Sequence, residues 1–157
     1  MSETIWKPHV TVAAIAERDG NYLLVEELNS RGEKVINQPA GHLDEGENLI
    51  DACIRETLEE TGWGFQPEAL VGIYRWINPR DGETFLRYSF CGQLTEQQFP
   101  EPQDSSILRT RWLTREQLDS PAIGLRSVLV THCIDEYLTG TRYPLSLLSD
   151  VPEPSLA

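Results

Sequence analysis

A chain of 157 residues, 39% of them hydrophobic, is long enough to bury one ordinary core and too short to divide convincingly into two domains. Its formal net charge of −12 is the wrong sign for a nonspecific nucleic-acid or anionic-membrane binder, both of which need a basic field. Cys53, Cys91 and Cys133 are an odd number without CxxC spacing, which predicts buried free thiols in a reducing compartment rather than disulfides or a zinc site. No apolar run reaches the ~20 residues of a membrane span, and the opening MSETIWKPHV has no stretch of signal length, so the expected location is cytoplasmic.

In chain order, His9 to Ala16 reads as a strand rich in small and β-branched residues, with Arg18-Asp19-Gly20-Asn21 as a turn and Tyr22 to Glu26 as its hairpin partner. Asn29 to Gly32 is a loop, and Val35 to Gln38 a short extended piece before Pro39. Asn48 opens a helix. It is a good N-cap with Asp51 three residues on, and Gly62 stands where a C′ glycine ends the helix. Two strands follow, Ala69 to Ile77 and Thr84 to Leu94, joined by an Asn-Pro-Arg-Asp-Gly turn. Thr95 to Gln103 is a loop, Ile107 to Leu113 a strand, and Thr114 caps a short helix. Arg126 to Leu138, stopped by Gly140, reads as a second long helix, and residues 148–157 as a loose tail behind one domain of residues 1–147. Strands mixed with two main helices predict an α/β/α sandwich.

The first helix carries the chemistry. At 100° per residue, with Glu56 at 0°, Glu59 falls at about 300° and Glu60 at about 40°, so three carboxylates share one arc. The only cation in the helix, Arg55, lies to one side. Crowded carboxylates repel one another, and a hard divalent cation such as Mg²⁺ is what their oxygens suit. Ile50, Cys53, Ile54 and Thr57 form the core-facing side. Ala52 is small enough to leave room for a ligand above the carboxylates.

The stretch GHLDEGENLIDACIRETLEETGW, Gly41 to Trp63, resembles the Nudix box, G-x5-E-x7-R-E-U-x-E-E-x-G-U with U bulky and apolar. Gly41, Glu47, Arg55, Glu56, Glu59, Glu60 and Gly62 match its seven fixed positions; Thr57 departs at the first U. The segments KPHVTVAA, NQPAGHL, FLRYSF, RWLT, RSVLV and RYPL, in that order, are similar to the NudJ-type phosphatase subgroup of that family, although Ile36 stands where relatives tend to have an aromatic residue. The resemblance implies an α/β fold of the Nudix type, an α/β/α sandwich with a mixed β-sheet. It implies a metal-dependent hydrolase of phosphoanhydrides in nucleoside tri- and diphosphates and related small pyrophosphates, hydroxymethylpyrimidine pyrophosphate among them. By the same resemblance Glu56, Glu59, Glu60 and the Gly41 carbonyl hold Mg²⁺, with Mn²⁺ as substitute. Arg55 pairs with Glu47 to brace the loop, and Glu59 is the candidate general base. Divalent ions invert the local charge, which reconciles a −12 chain with an anionic substrate.

Outside the box, Arg75 and Arg87 are candidate phosphate clamps, since guanidinium donates to oxyanions in bidentate fashion. Tyr74 and Trp76 alternate with Arg75 and face the other side of their strand, for core packing or base stacking. His42, beside Gly41, is a candidate for contacting a phosphate or shuttling a proton, whereas His9 reads as structural. Asp104, in a loop, is a rival base or ligand. The expected partner is a small nucleotide or pyrophosphate, with no nucleic acid and no membrane, in a monomer or homodimer. Two alternatives stay open: an ADP-ribose or dinucleotide pyrophosphatase, and a noncatalytic Nudix-like ligand sensor.

Overall fold

The protein was analysed as a computed structural model, which describes residues 3–154. Its elements in chain order are β1 (His9–Ile15), β2 (Glu17–Arg18), β3 (Asn21–Leu28), β4 (Lys34–Asn37), β5 (Ala40–His42), α1 (Leu49–Thr61), β6 (Trp63–Ile77), β7 (Thr84–Gln97), β8 (Ile107–Thr114) and α2 (Leu129–Leu138). Single 3-10 turns occupy Gln117–Asp119 and Leu145–Leu147. One sheet has the order β5-β1-β7-β6 and is mixed, because β1 runs parallel to β7 while the other pairs are antiparallel. The second is antiparallel and built around β3, which pairs with β2, β4 and β8.

Alternating side chains divide the interior into two cores. Val12, Ala14, Leu23, Leu70 and Phe90 pack with Ala52 and Cys53 of α1. Their neighbours Ile15, Leu24, Val71 and Cys91 pack instead with Leu129, Val130, Cys133 and Ile134 of α2. A helix thus covers each side of the strands, as the α/β/α expectation required. All three cysteines are free and buried, and no helix among the described residues is long and apolar enough to cross a membrane.

Several boundaries differ from the sequence expectations. His9–Ala16 and the segment from Tyr22 are not a hairpin pair. The two-residue β2 turns back on β3 instead, and β1 enters the other sheet beside β7. Strand β6 begins at Trp63 and runs through Pro67, with a register shift between Pro67 and Ala69, the kind of irregularity at which a strand accommodates proline. Strand β7 runs on to Gln97, into the expected loop. Helix α2 starts at Leu129 because the preceding residues pair with β4, Ile36 N–H donating to the Gly124 carbonyl (2.8 Å) and Arg126 N–H to the Ile36 carbonyl (2.9 Å). Thr114 exchanges bonds with Gln117 in both directions, although the residue before the 3-10 turn is Glu116, which makes no side-chain cap. From Leu148 to Pro154 there is no regular secondary structure, and Ser155–Ala157 of the expected tail lie outside the described residues.

Candidate active site

Helix α1 is held at both ends as its sequence requires. The Asn48 side chain accepts from Asp51 N–H (2.8 Å) and donates to the Asp51 carboxylate (3.1 Å). At the other end Gly62 has φ of 78° and returns its N–H to the Leu58 carbonyl. A residue with a Cβ is strained in that left-handed conformation. The helix therefore presents Glu56, Glu59 and Glu60 at a fixed height beside β5.

These three carboxylates share a face but not an environment. Glu59 keeps 45% of its side chain exposed, Glu56 is largely covered, and Glu60 is 4% exposed. Glu60 sits at the edge of the arc nearest the core, where its Oε1 accepts the Ala40 N–H at 2.7 Å. Burial, with Glu27, Glu56 and Asp104 nearby, pushes the Glu60 carboxyl up to about 9. Burial also raises Glu56, against the pull of Arg55. Gly41 packs so closely on Glu56 that an added Cβ would run into its carboxylate. Ala52 does not leave ligand space as expected: it is fully buried in the core under α1.

Arg55 joins these groups. Its Nε and Nη2 grip both oxygens of Glu47 (2.9 and 2.7 Å), and Nη1 donates to Glu56 (2.8 Å) and Glu59 (3.2 Å). Nη2 also donates to the His42 carbonyl at 3.1 Å. The fork holds Glu47 below the usual carboxylate range. Asp104 reaches the same neighbourhood because its N–H and that of Gln103 donate to the Glu59 carbonyl (2.9 and 2.7 Å), while its carboxylate caps Ser106.

Among the described residues no three acidic, histidine or cysteine side chains form a ready-made metal cage. Arg55 and the Ala40 N–H engage the oxygens that would turn toward an ion. The donor chemistry nevertheless fits a hard cation: every group is oxygen, and burial first, with the neighbouring carboxylates second, disfavours a charged Glu60 in a way a divalent ion offsets.

Beside this acidic face opens a cavity of about 720 Å³, within the usual range for small-molecule sites. Gly41 and His42 form its near rim, Trp76 and Phe85 an aromatic wall, and Arg87 and Arg126, with Arg80 from the turn between β6 and β7, its cationic lining. Arg87 is 4% exposed. Its Nη2 donates to Asn37 Oδ1 at 3.1 Å, its Nε has no partner, and burial lowers its pKa. His42 Nε2 stands 3.1 Å from His9 Nδ1, whose ring stacks on Phe85 and reaches Glu83 at 2.9 Å. Burial and His9 lower the His42 pKa.

Arg75 is not brought to this cavity. It is exposed on the opposite side of β6 from Trp76, which pairs across to Phe85. Tyr74 packs toward α2 and donates to Glu136 at 2.7 Å, so of the two aromatics only Trp76 lines the cavity. Ile36 is core, and the aromatic wall comes from another sheet. Glu27, Asn37, Phe85 and Arg126 were not singled out beforehand; NQPAGHL, FLRYSF and RSVLV contained three of them, and the Glu26-Glu27 pair closing an apolar strand was the only signal for the fourth.

A NUDIX domain matches residues 7–130. The chain belongs to the NUDIX family. It is 41% identical over 150 residues to a protein named phosphatase NudJ from Escherichia coli strain K12, covering 96% of each chain. It also resembles a solved NUDIX hydrolase from Nitrosomonas europaea, with 45% identity, a TM-score of 0.88, and coverage of 92% of this chain and 98% of that one. A MutT NUDIX hydrolase from Burkholderia pseudomallei, at 20% identity and a TM-score of 0.71 over 83% of this chain and 98% of the other, shares the fold. The chain is therefore an enzyme of the NUDIX hydrolase class, acting on pyrophosphate bonds in small molecules. NUDIX hydrolases generally use divalent metal ions such as Mg²⁺.

Proposed function

We propose that this NUDIX hydrolase is a Mg²⁺-dependent, cytoplasmic phosphatase of nucleoside tri- and diphosphates and related small pyrophosphates, hydroxymethylpyrimidine pyrophosphate among them. The observation that carries the reading is the acidic face of Glu56, Glu59 and Glu60 opening beside a cavity with a buried guanidinium in its lining. The name of the 41% identical relative supports the phosphatase reading.

Glu56, Glu59, Glu60 and the Gly41 carbonyl would hold the ion. When bound, such an ion neutralises charge on the phosphoanhydride and makes the attacking water more acidic. Arg55 keeps Glu47, Glu56 and the His42 carbonyl in fixed relation, which orients the acidic face before substrate arrives. Arg87 and His42 contact substrate phosphate from the cavity lining. Glu59, the most exposed of the three, would accept a proton from water attacking phosphorus in line.

The test is a screen of nucleotides and small pyrophosphates with product identification. Protein stripped with EDTA should be inactive, and Mg²⁺ or Mn²⁺ should restore turnover with release of inorganic phosphate. Undiminished turnover without metal overturns the reading. Release of two monophosphates from ADP-ribose or a dinucleotide would favour the internal-anhydride pyrophosphatase, and binding without turnover of any compound the ligand sensor.

A further inference from the structure

The register of the first sheet arranges the residues of one of its faces, part of which lines the cavity, in rows. Trp76 lies opposite Phe85, and Phe85 opposite His9. One two-residue step on, the row is Tyr74, Arg87, Thr11 and His42; the next ends at Ala40, whose N–H meets Glu60. Each step is about 6.6–6.8 Å. An aromatic row, a guanidinium row and the acidic face thus follow one another along the strands.

Arg87 is an unusual group to bury. Among the described residues no carboxylate lies within 4.0 Å of its guanidinium, and a buried charge without a counter-charge is costly. What it does have is Asn37, reached across the gap between the two sheets. Asn37 Nδ2 donates to Glu27 Oε1 at 3.5 Å, and Arg126 Nη1 stands 3.3 Å from the same oxygen. Arg126 is held there because its own N–H is fixed to the Ile36 carbonyl, next to Asn37. Helix α2 begins three residues later, its first turn lining the cavity with the positive end of its dipole.

We propose that Arg87 and Arg126, linked through Asn37 and Glu27, seat the phosphate that stays on the organic half of the substrate, while Trp76 and Phe85 take a ring carried a short linker away. The proposal rests on the hydrolase reading above and deepens it. The enzyme selects pyrophosphates whose aromatic or heteroaromatic ring lies close to the first phosphate, and the ring-bearing monophosphate product remains a ligand. The anion supplies the counter-charge Arg87 lacks. It is held by side chains outside the acidic face, so it binds without metal.

Calorimetric titration of the full chain in EDTA tests this, because chelation removes turnover and any metal bridge. The probes are uridine 5′-monophosphate, uridine and inorganic phosphate. The monophosphate should bind at least about tenfold more tightly than either of the others, a gain of ~1.4 kcal/mol or more. Arg126→Gln should weaken the monophosphate about tenfold or more and leave uridine within about twofold. Arg75→Gln, an equal change of net charge on the side of β6 away from Trp76, should change neither. Arg87→Gln should act like Arg126→Gln; if it fails to fold, Arg126→Gln, on a side chain 49% exposed, carries the test. Equal affinity for monophosphate and uridine, or wild-type affinity in Arg126→Gln, overturns the seat. A wild-type protein that binds the monophosphate as described yet hydrolyses nothing with Mg²⁺ would overturn the proposed function and leave the seat standing. Hydrolysis with an indifferent Arg126→Gln would do the reverse.

Discussion

Arg55 and Arg87 carry the same guanidinium into two opposite surroundings. Arg55 donates to three glutamates and a carbonyl, and every contact lies within α1, the loop before it or the end of β5. Arg87 is more deeply buried, has one amide oxygen for a partner and an idle Nε. A saturated fork is a brace, since nothing is left over to recognise a ligand. A buried fork with spare capacity beside a cavity is what the proposed phosphate seat needs, since an arriving anion would offset its cost. Residue type alone does not separate the two roles; the count of nearby carboxylates does.

Substitutions on the acidic face that Arg55 contacts should be the most damaging to turnover. Glu60→Gln keeps the shape and can still accept the Ala40 N–H, but it removes the charge that would hold a hard cation. We expect kcat to fall by about 10²–10⁴ at saturating Mg²⁺, with no loss of melting temperature, because an unfavourably buried carboxylate has been taken away. Glu45→Gln, in the exposed loop before α1, should cost less than about tenfold. Equal losses in the two would mean that the metal face has been placed on the wrong side of the helix.

Next in size is the brace itself. Arg55→Ala should lose activity and also about 1–3 kcal/mol of stability, because it strands Glu47 and Glu56 in partly buried positions. Lost catalysis with an unchanged melting temperature would instead assign Arg55 to the substrate. The pH dependence sharpens this. Glu47 is held below 4.5 by Arg55, so its contribution is fully present above that value and is lost as pH falls through the lower folded-state value. Thermal melts of wild type and Arg55→Ala should therefore converge in acid and separate above about pH 5; a constant gap down to pH 3 would contradict the pairing.

How much of this could be read beforehand follows the range of the interaction. The Asn48–Asp51 cap, the Gly62 stop and the carboxylate arc depend on neighbours within a turn or two, and they lie where the spacing put them. The parallel partner of β1, strand β7, lies more than seventy positions away, and turn residues at Arg18–Asn21 gave a plausible but wrong neighbour. The wheel placed Glu60 on the metal arc but not in the core, because its depth is set by how closely β5 approaches the helix at Ala40. Arg126 looked like the start of a helix, and its strand-like docking on β4 has no local signal.

The smallest effect tests the comparison from the other side. Arg75 and Arg87 were equal candidates in sequence, but they occupy opposite faces of the same hairpin. The pairing of Tyr74 with Arg87 and of Arg75 with Leu86 places Arg75 on the face away from Trp76 and the cavity. Its side chain is exposed, and salt at physiological strength screens a solvated cation's pull on an anion. Arg75→Gln should therefore leave both KM and kcat within about twofold, whereas Arg87→Gln should raise KM by an order of magnitude or more. Steady-state kinetics at 0.15 M salt decides between them. A KM that rises equally in both variants would mean that the substrate reaches over the edge of β6, and that the cavity is not where its phosphate lies.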